Sequence, residues 1–207
     1  QKETQRKQRE KARKICLAGY TNAGKSTLFN LLTNANVLVE DKLFATLDST
    51  SRQLKLSTGN PVVLSDTVGF ISKLPHHLVA SFKATLMEVQ DANLLLHIVD
   101  VSDERFEYYI QQVNSVLQQI GAETIPQIIV FNKIDNVDSI WVSVLESRFP
   151  EGVFISAIQG INIDKLLAKV EEVLLGNRIL QLKIPYEKTA LVSKLHDIAE
   201  IISEDYK

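Results

Sequence analysis

Short, continuous apolar runs punctuate this chain, and between them hydrophobic residues recur every three or four positions, so strands and helices are predicted in alternation. The runs are Ile15-Cys16-Leu17-Ala18, Val62-Val63-Leu64, Leu94-Leu95-Leu96-His97-Ile98-Val99, Ile128-Ile129-Val130-Phe131 and the shorter Val153-Phe154-Ile155. Apolar on both faces, they read as interior strands of a largely parallel sheet. Gln53-Leu54-Lys55-Leu56 alternates instead, and the turn Thr58-Gly59-Asn60-Pro61 links it to the Val62 run. That pair predicts a hairpin whose first member is an antiparallel edge strand. Helical faces fall between the runs: a helix from Lys25 to about Thr33; Leu78, Phe82, Leu86 and Val89; Phe106, Ile110, Val113, Leu117 and Ile120; Ile140, Val144 and Leu145; and Ile163, Leu166, Leu167, Val170, Val173 and Leu174. The expected class is α/β, a three-layer arrangement with helices on both faces of the sheet. Ligands are expected where the strands' carboxyl ends emerge.

The alternating pattern sets three segments. Residues 1–13 are polar, charged and free of Gly and Pro, and read as a helical lead-in. Residues 14–176 carry the alternation. From 177 to 207 the pattern changes: Ile179-Leu180-Gln181-Leu182-Lys183-Ile184-Pro185 alternates as a strand, and Thr189 to Ile202 is mostly helical. This last segment reads as part of a C-terminal α+β domain that stops before its strand finds a partner. Residues 36–50 form a long connection with no apolar period, marked as a ligand-sensing element rather than a spacer.

Composition narrows the picture only a little. A chain of 207 residues can bury a core without disulfides or metal, and its single cysteine, Cys16, sits in the first predicted strand as a small apolar residue. No run is long enough to span a membrane and no signal pattern opens the chain, so no integral membrane association is expected. A reducing, cytoplasmic setting follows. The net charge of −2 hides an asymmetry, because residues 1–14 hold seven Lys or Arg against two Glu. Either an RNA-facing arm or a solvated helix end accounts for that run. The chain opens on Gln1 and its one methionine is Met87, which leads us to expect a piece of a longer protein.

The strand ends carry the chemistry. Gly19-Tyr20-Thr21-Asn22-Ala23-Gly24-Lys25-Ser26-Thr27 has two glycines separated by four residues and followed by Lys-Ser, between a predicted strand and a predicted helix. That is the setting of a phosphate-binding loop. Glycines admit backbone amides to a polyphosphate, the helix N-terminus adds partial positive charge, Lys25 adds a full one, and the Ser26 hydroxyl suits Mg²⁺. Asp66-Thr67-Val68-Gly69 follows an apolar strand. There Asp66 can hold Mg²⁺ through a water and the Gly69 amide can meet a terminal phosphate. Asn132-Lys133-Ile134-Asp135 offers what a guanine needs: the Asp135 carboxylate can accept from the ring imino and exocyclic amino groups together, and the Lys133 stem can lie over the ring. Ser156-Ala157-Ile158 would complete the base pocket with a backbone amide facing the guanine carbonyl. His76, His77 and His97 lack a carboxylate or cysteine cluster at ligand spacing and read as solvated or packed. Trp141 and the tyrosines show no stacking series for nucleic acid.

In order and spacing these motifs resemble those of the translation-factor-related GTPases, and more closely the bacterial HflX family. The P-loop, the stretch Phe44-Ala45-Thr46-Leu47-Asp48-Ser49-Thr50, and Asp66-Thr67-Val68-Gly69-Phe70-Ile71-Ser72-Lys73-Leu74-Pro75-His76-His77 with the residues to Leu86 carry the likeness. The resemblance implies a P-loop NTPase fold (a G domain) and a GTPase that binds the large ribosomal subunit, including its RNA, and separates or rescues stalled ribosomes. DNA is not an expected partner. It further implies that Ser26 and Thr46 ligate Mg²⁺, Thr46 only when GTP is present, with Asp66 acting through water. Phe44, Ala45, Thr46, Leu47 and Asp48 then join the nucleotide contacts, and Lys25, Thr46 and Gly69 are the candidates for contact with the transferred phosphate. Asn22 stands where related GTPases use an asparagine to hold K⁺. Phe70 stands where many small GTPases carry a water-orienting glutamine. The family's N-terminal domain and the end of its C-terminal domain are not in this sequence. The implied location is cytoplasmic, with peripheral membrane association of a part of the population left open. Two other readings stay open: a GTP-dependent module that recruits RNA or protein with negligible turnover, and a related GTPase of RNA modification or ribosome assembly.

Overall fold

The strand β1 (Arg13–Gly19) shows why the sheet is a middle layer. Its alternate side chains point to opposite faces, and both sets are buried: Ile15 and Leu17 on one side, Cys16 and Ala18 on the other. Only a sheet covered twice can take such a strand. The computed structural model describes residues 13–34, 50–56, 61–66, 89–176, 182–185, 191–192, 195 and 203–204. The chain divides into two compact units, Gln1–Gly176 and Asn177–Lys207.

In chain order the first unit contains β1, α1 (Lys25–Thr33), β2 (Thr50–Lys55), β3 (Pro61–Asp66), β4 (Leu94–Asp100), α2 (Phe106–Gln119), β5 (Gln127–Asn132), a 3-10 turn (Ile134–Asn136), α3 (Ser139–Arg148), β6 (Val153–Phe154) and α4 (Ile163–Leu175). The six strands lie in the order β2-β3-β1-β4-β5-β6. Every neighbouring pair is parallel except β2 with β3. The expected antiparallel edge is therefore β2, whose Leu54 is buried while Arg52 and Gln53 are exposed.

Ile15, Leu17, Leu94, Leu96 and Ile98 pack against Leu28 and Phe29 of α1 and Leu166, Val170 and Leu174 of α4. On the other face Cys16, Ala18 and Leu95 meet Val113 and Leu117 of α2. Each of these large aliphatic side chains contributes about 1.5–3 kcal/mol relative to exposure. A third cluster joins Val99, Val101, Phe106, Phe131, Leu145 and Phe154 beneath α3.

The helix expected from Ile140, Val144 and Leu145 forms as α3, but these residues do not share one buried face. Leu145 is fully buried, but Ile140 is 74% exposed and Val144 48%. Leu145 lies about 100° round the helix from Val144, whereas Val142 and Phe149 share its side and pack there. Two smaller corrections concern the ends. Arg13, expected as the close of the lead-in, opens β1; and Leu182-Lys183-Ile184-Pro185, expected in a strand, have no regular structure. Residues 1–12, the face Leu78, Phe82 and Leu86, and most of the expected C-terminal strand and helix lie outside the described residues. Among the described residues no helix is long and apolar enough to cross a membrane.

The order of strands places the site. Chain progression runs from β1 outward to β3 on one side and to β4, β5 and β6 on the other, so connections diverge at the carboxyl end of β1. Such a switch point leaves a crevice. Register brings Asp66 beside Leu17, Gly19 beside Ile98, and Asp100 beside Asn132, so the polar strand ends share one edge.

Candidate functional site

Residues 20–24 turn the chain from β1 into α1. Two glycines make the turn possible. At Gly19 a Cβ would run into the Ile98 carbonyl; Gly24, at φ 94°, caps α1 in the left-handed region and approaches Asn132 so closely that a Cβ would strike its side-chain amide. Asn22 also adopts positive φ, 61°, a conformation asparagine tolerates better than most residues. The Tyr20 carbonyl accepts from the Ala23 N–H at 3.3 Å and from Lys25 Nζ at 2.9 Å. Lys25 is buried, and desolvation pushes its ammonium down to about 8 against the opposing pull of Asp66.

Ser26 Oγ donates to Asp66 Oδ2 at 2.7 Å, and Asp66 is fully buried at the end of β3. A hydroxyl and a carboxylate oxygen side by side beneath the loop are the hard donors Mg²⁺ prefers, so the residues fit that ion. Among the described residues no group of three or more His, Cys, Asp or Glu forms a metal cluster. His97 is buried in β4 and its Nδ1 has no hydrogen-bond partner among the described residues; burial, with Lys25 adding to it, pushes the imidazole down to about 4.

The side chain of Asn132 fastens the candidate base loop to the candidate phosphate loop. Asn132, at the end of β5 and nearly fully buried, donates through Nδ2 to the Ala23 carbonyl at 2.9 Å and accepts through Oδ1 from the Ala157 N–H, also at 2.9 Å. Ala157 is held from the other side by the loop after β6, where Ser156 and Ile161 exchange backbone bonds at 3.3 and 3.0 Å. The Ala157 N–H is thus engaged with Asn132. Ile158 beside it is 77% exposed. Replacing Asn132 with Ala strands a buried carbonyl and a buried N–H, each costing about 1–3 kcal/mol. Chemical denaturation of Asn132→Ala is expected to show a loss of about 2–6 kcal/mol on that basis; a loss below about 1 kcal/mol would show that the amide is not the brace.

Lys133 sits at φ 66°, turning the chain out of β5, and its Nζ pairs with Asp100 Oδ2 at 2.7 Å. This fixes the stem that was expected over the ring. Asp100, which pattern reading did not single out, earned no attention because a strand-ending aspartate has no motif of its own. Asp135 follows in the 3-10 turn, and its Oδ1 is buried without a hydrogen-bond partner among the described residues. An orphaned carboxylate oxygen at the mouth of this loop is what a base with paired N–H donors would satisfy. Of the remaining candidates, Thr21 and Thr27 are half-buried around the P-loop; Phe44, Ala45, Thr46, Leu47, Asp48, Thr67, Val68, Gly69, Phe70, His76 and His77 lie outside the described residues.

Comparison with known proteins agrees with this geometry. A family model described as a 50S ribosome-binding GTPase matches residues 14–133. A GTPase HflX of Caldanaerobacter subterraneus subsp. tengcongensis is 44% identical over 203 residues, 98% of this chain and 46% of that protein. GTPase HflX of Escherichia coli K12 is 43% identical over 210 residues, 96% of this chain and 49% of that protein. The chain thus spans about half the length of the relatives it matches. Among solved structures, a GTP-binding protein from Sulfolobus solfataricus in complex with GDP superimposes with a TM-score of 0.63 at 26% identity, covering 84% of this chain and 54% of that one. An Aquifex aeolicus Era bound to GDP and aluminium fluoride, at 23% identity and TM-score 0.62, shares the fold over 86% of this chain and 63% of its own. The chain belongs to the 50S ribosome-binding GTPases and, among them, to the HflX family, whose G domain it carries.

Proposed function

We propose that this chain binds GTP and GDP, hydrolyses GTP with Mg²⁺, and serves as the nucleotide switch of a protein that acts on the large ribosomal subunit, separating or rescuing stalled ribosomes. The observation that carries the nucleotide reading is Asn132, which ties the Ala23 carbonyl of the phosphate loop to Ala157 of the base loop beside the orphaned Asp135 oxygen. One side chain thereby sets the distance between the phosphate cradle and the base reader. Ser26, Thr46 and Asp66 would hold Mg²⁺, which supplies charge neutralisation along the phosphates. Lys25 and the Gly69 amide are assigned to the terminal phosphate. We assign residues 14–176 to the G domain, 1–13 to a lead-in and 177–207 to part of a C-terminal domain, in a cytoplasmic protein.

Calorimetric titration with GTP, GDP and ATP tests the nucleotide reading. GTP and GDP should bind and ATP should not; equal affinity for ATP would overturn it. The ribosomal half of the proposal is supported by the family description and is tested separately by sedimentation of the full-length protein with large subunits in the presence of a non-hydrolysable GTP analogue.

Asn22 leads to a prediction about catalysis. It is exposed in the loop at positive φ. A K⁺ held there would add positive charge where the transition state spreads negative charge. Hydrolysis by the full-length protein is expected to be faster in KCl than in NaCl, and Asn22→Ala should abolish the difference. Equal rates in the two salts would remove the cation from the mechanism. The competing reading, a recruitment module with negligible turnover, draws on Phe70, which cannot orient a water.

A further inference from the structure

The phosphate loop is held from outside by an aromatic stack. The ring of Tyr20, the second residue of the loop, lies on the ring of Tyr109 in the first turn of α2, centroids 4.0 Å apart and planes inclined by 18°. Arg105 places its guanidinium carbon 5.3 Å from the Tyr109 centroid, and Tyr108 meets Tyr109 edge-on at 5.8 Å. Arg105 is in turn fixed by Asp103, whose Oδ1 accepts the Arg105 backbone N–H at 2.9 Å and lies 3.4 Å from its Nε. Asp103, Arg105, Tyr109 and Tyr20 thus form one continuous chain of contacts from the start of α2 to the loop.

The far end of that chain is Lys25. Two bonds converge on the Tyr20 carbonyl, from the Ala23 N–H and from Lys25 Nζ. We infer that Tyr109, braced by Arg105, is a positioning residue for the phosphate loop: by seating the Tyr20 ring it fixes the carbonyl that holds the Lys25 ammonium ready for nucleotide phosphates. A buried ammonium needs an acceptor, and this one is a backbone oxygen whose place depends on how the Tyr20 residue sits. The loop carries two left-handed residues, Asn22 and Gly24, between β1 and α1. A ring pinned by stacking is therefore an effective way to keep it in one conformation. Pre-organisation of this kind spares the ordering cost that a loose loop would meet on binding.

The inference rests on reading this loop as the phosphate site, and the test separates the two. GTP, GDP and the phosphate-free guanosine are titrated into the unmodified chain, Tyr109→Ala and Tyr109→Phe, with melting temperatures recorded. An offset aromatic pair accounts for about 0.5–1.5 kcal/mol, so Tyr109→Ala should weaken GTP and GDP about 2- to 12-fold while leaving guanosine unchanged. Tyr109→Phe keeps the ring and its stack on Tyr20, losing only the hydroxyl's hydrogen bond to Asp103, and should bind GTP close to the unmodified chain and more tightly than Tyr109→Ala. The inference is overturned if Tyr109→Ala keeps full affinity for GTP, if it weakens guanosine as much as GTP, or if Phe fails to restore binding. Failure of the unmodified chain to bind GTP at all would overturn the phosphate-loop reading itself.

Discussion

Asp135→Asn is expected to weaken GTP binding by at least about 10- to 10²-fold, on the basis of one lost hydrogen bond to a charged acceptor worth about 1.5–3 kcal/mol. Guanine presents an imino N–H and an exocyclic amino group on one edge, and a carboxylate accepts from both. The Asn amide accepts from one and turns a donor toward the other, so one bond is lost and one contact becomes repulsive. Xanthine carries a carbonyl where guanine carries the amino group, and the same substitution should therefore improve binding of xanthosine nucleotides. The structure makes the effect large because Asp135 Oδ1 is already buried and has no hydrogen-bond partner among the described residues. Calorimetry on the variant with GTP and XTP decides it: an unchanged GTP affinity would remove Asp135 from base recognition.

What pattern could and could not reach is clearest at the strand ends. The interior strands, the edge hairpin and the span Lys25–Thr33 were legible because burial on both faces, alternation, and a glycine-lysine boundary each leave a local trace in sequence. The motif residues leave local traces of the same kind. Their wiring does not. Asn132 could be named as part of a base-reading motif, but its two bonds link residues separated from it by 109 and 25 positions, and nothing local encodes such a link. The same holds for Lys133 and Asp100, and for Tyr20 and Tyr109, which come together only because β1 and β4 are neighbours and α2 follows β4. Tyrosines scattered along the sequence gave no stacking series, yet two of them stack in space. On α3 the helix was legible but its buried side was not: Ile140, Trp141 and Val144 are apolar but exposed, and Leu145 is the one buried anchor.

The largest change is expected when the full-length protein meets the large ribosomal subunit: GTP turnover should rise by about 10³- to 10⁵-fold, the scale on which a GTPase site completed by a partner accelerates. In the site proposed above, the chain supplies the ground-state half. Lys25 bonds the Tyr20 carbonyl, Ser26 is paired with Asp66, and Asn132 ties the end of β5 to the Ala23 carbonyl. What hydrolysis further needs is an oriented water, and the residue after Gly69 is Phe70, whose ring offers that water neither a donor nor an acceptor. Binding energy alone does not replace the missing contact, because a group that holds substrate and transition state equally well leaves the chemical step unchanged. The missing group must then come from the bound cation, from the partner, or from the two together, and a ribosome-dependent rate is the signature of the partner. Turnover should be measured for this chain and for the full-length protein, each with and without large subunits. If the isolated chain already matches the full-length protein on ribosomes, its own residues complete the site and the trans-completion idea is wrong; if neither responds, the ribosomal role proposed for the switch fails while the nucleotide site stands.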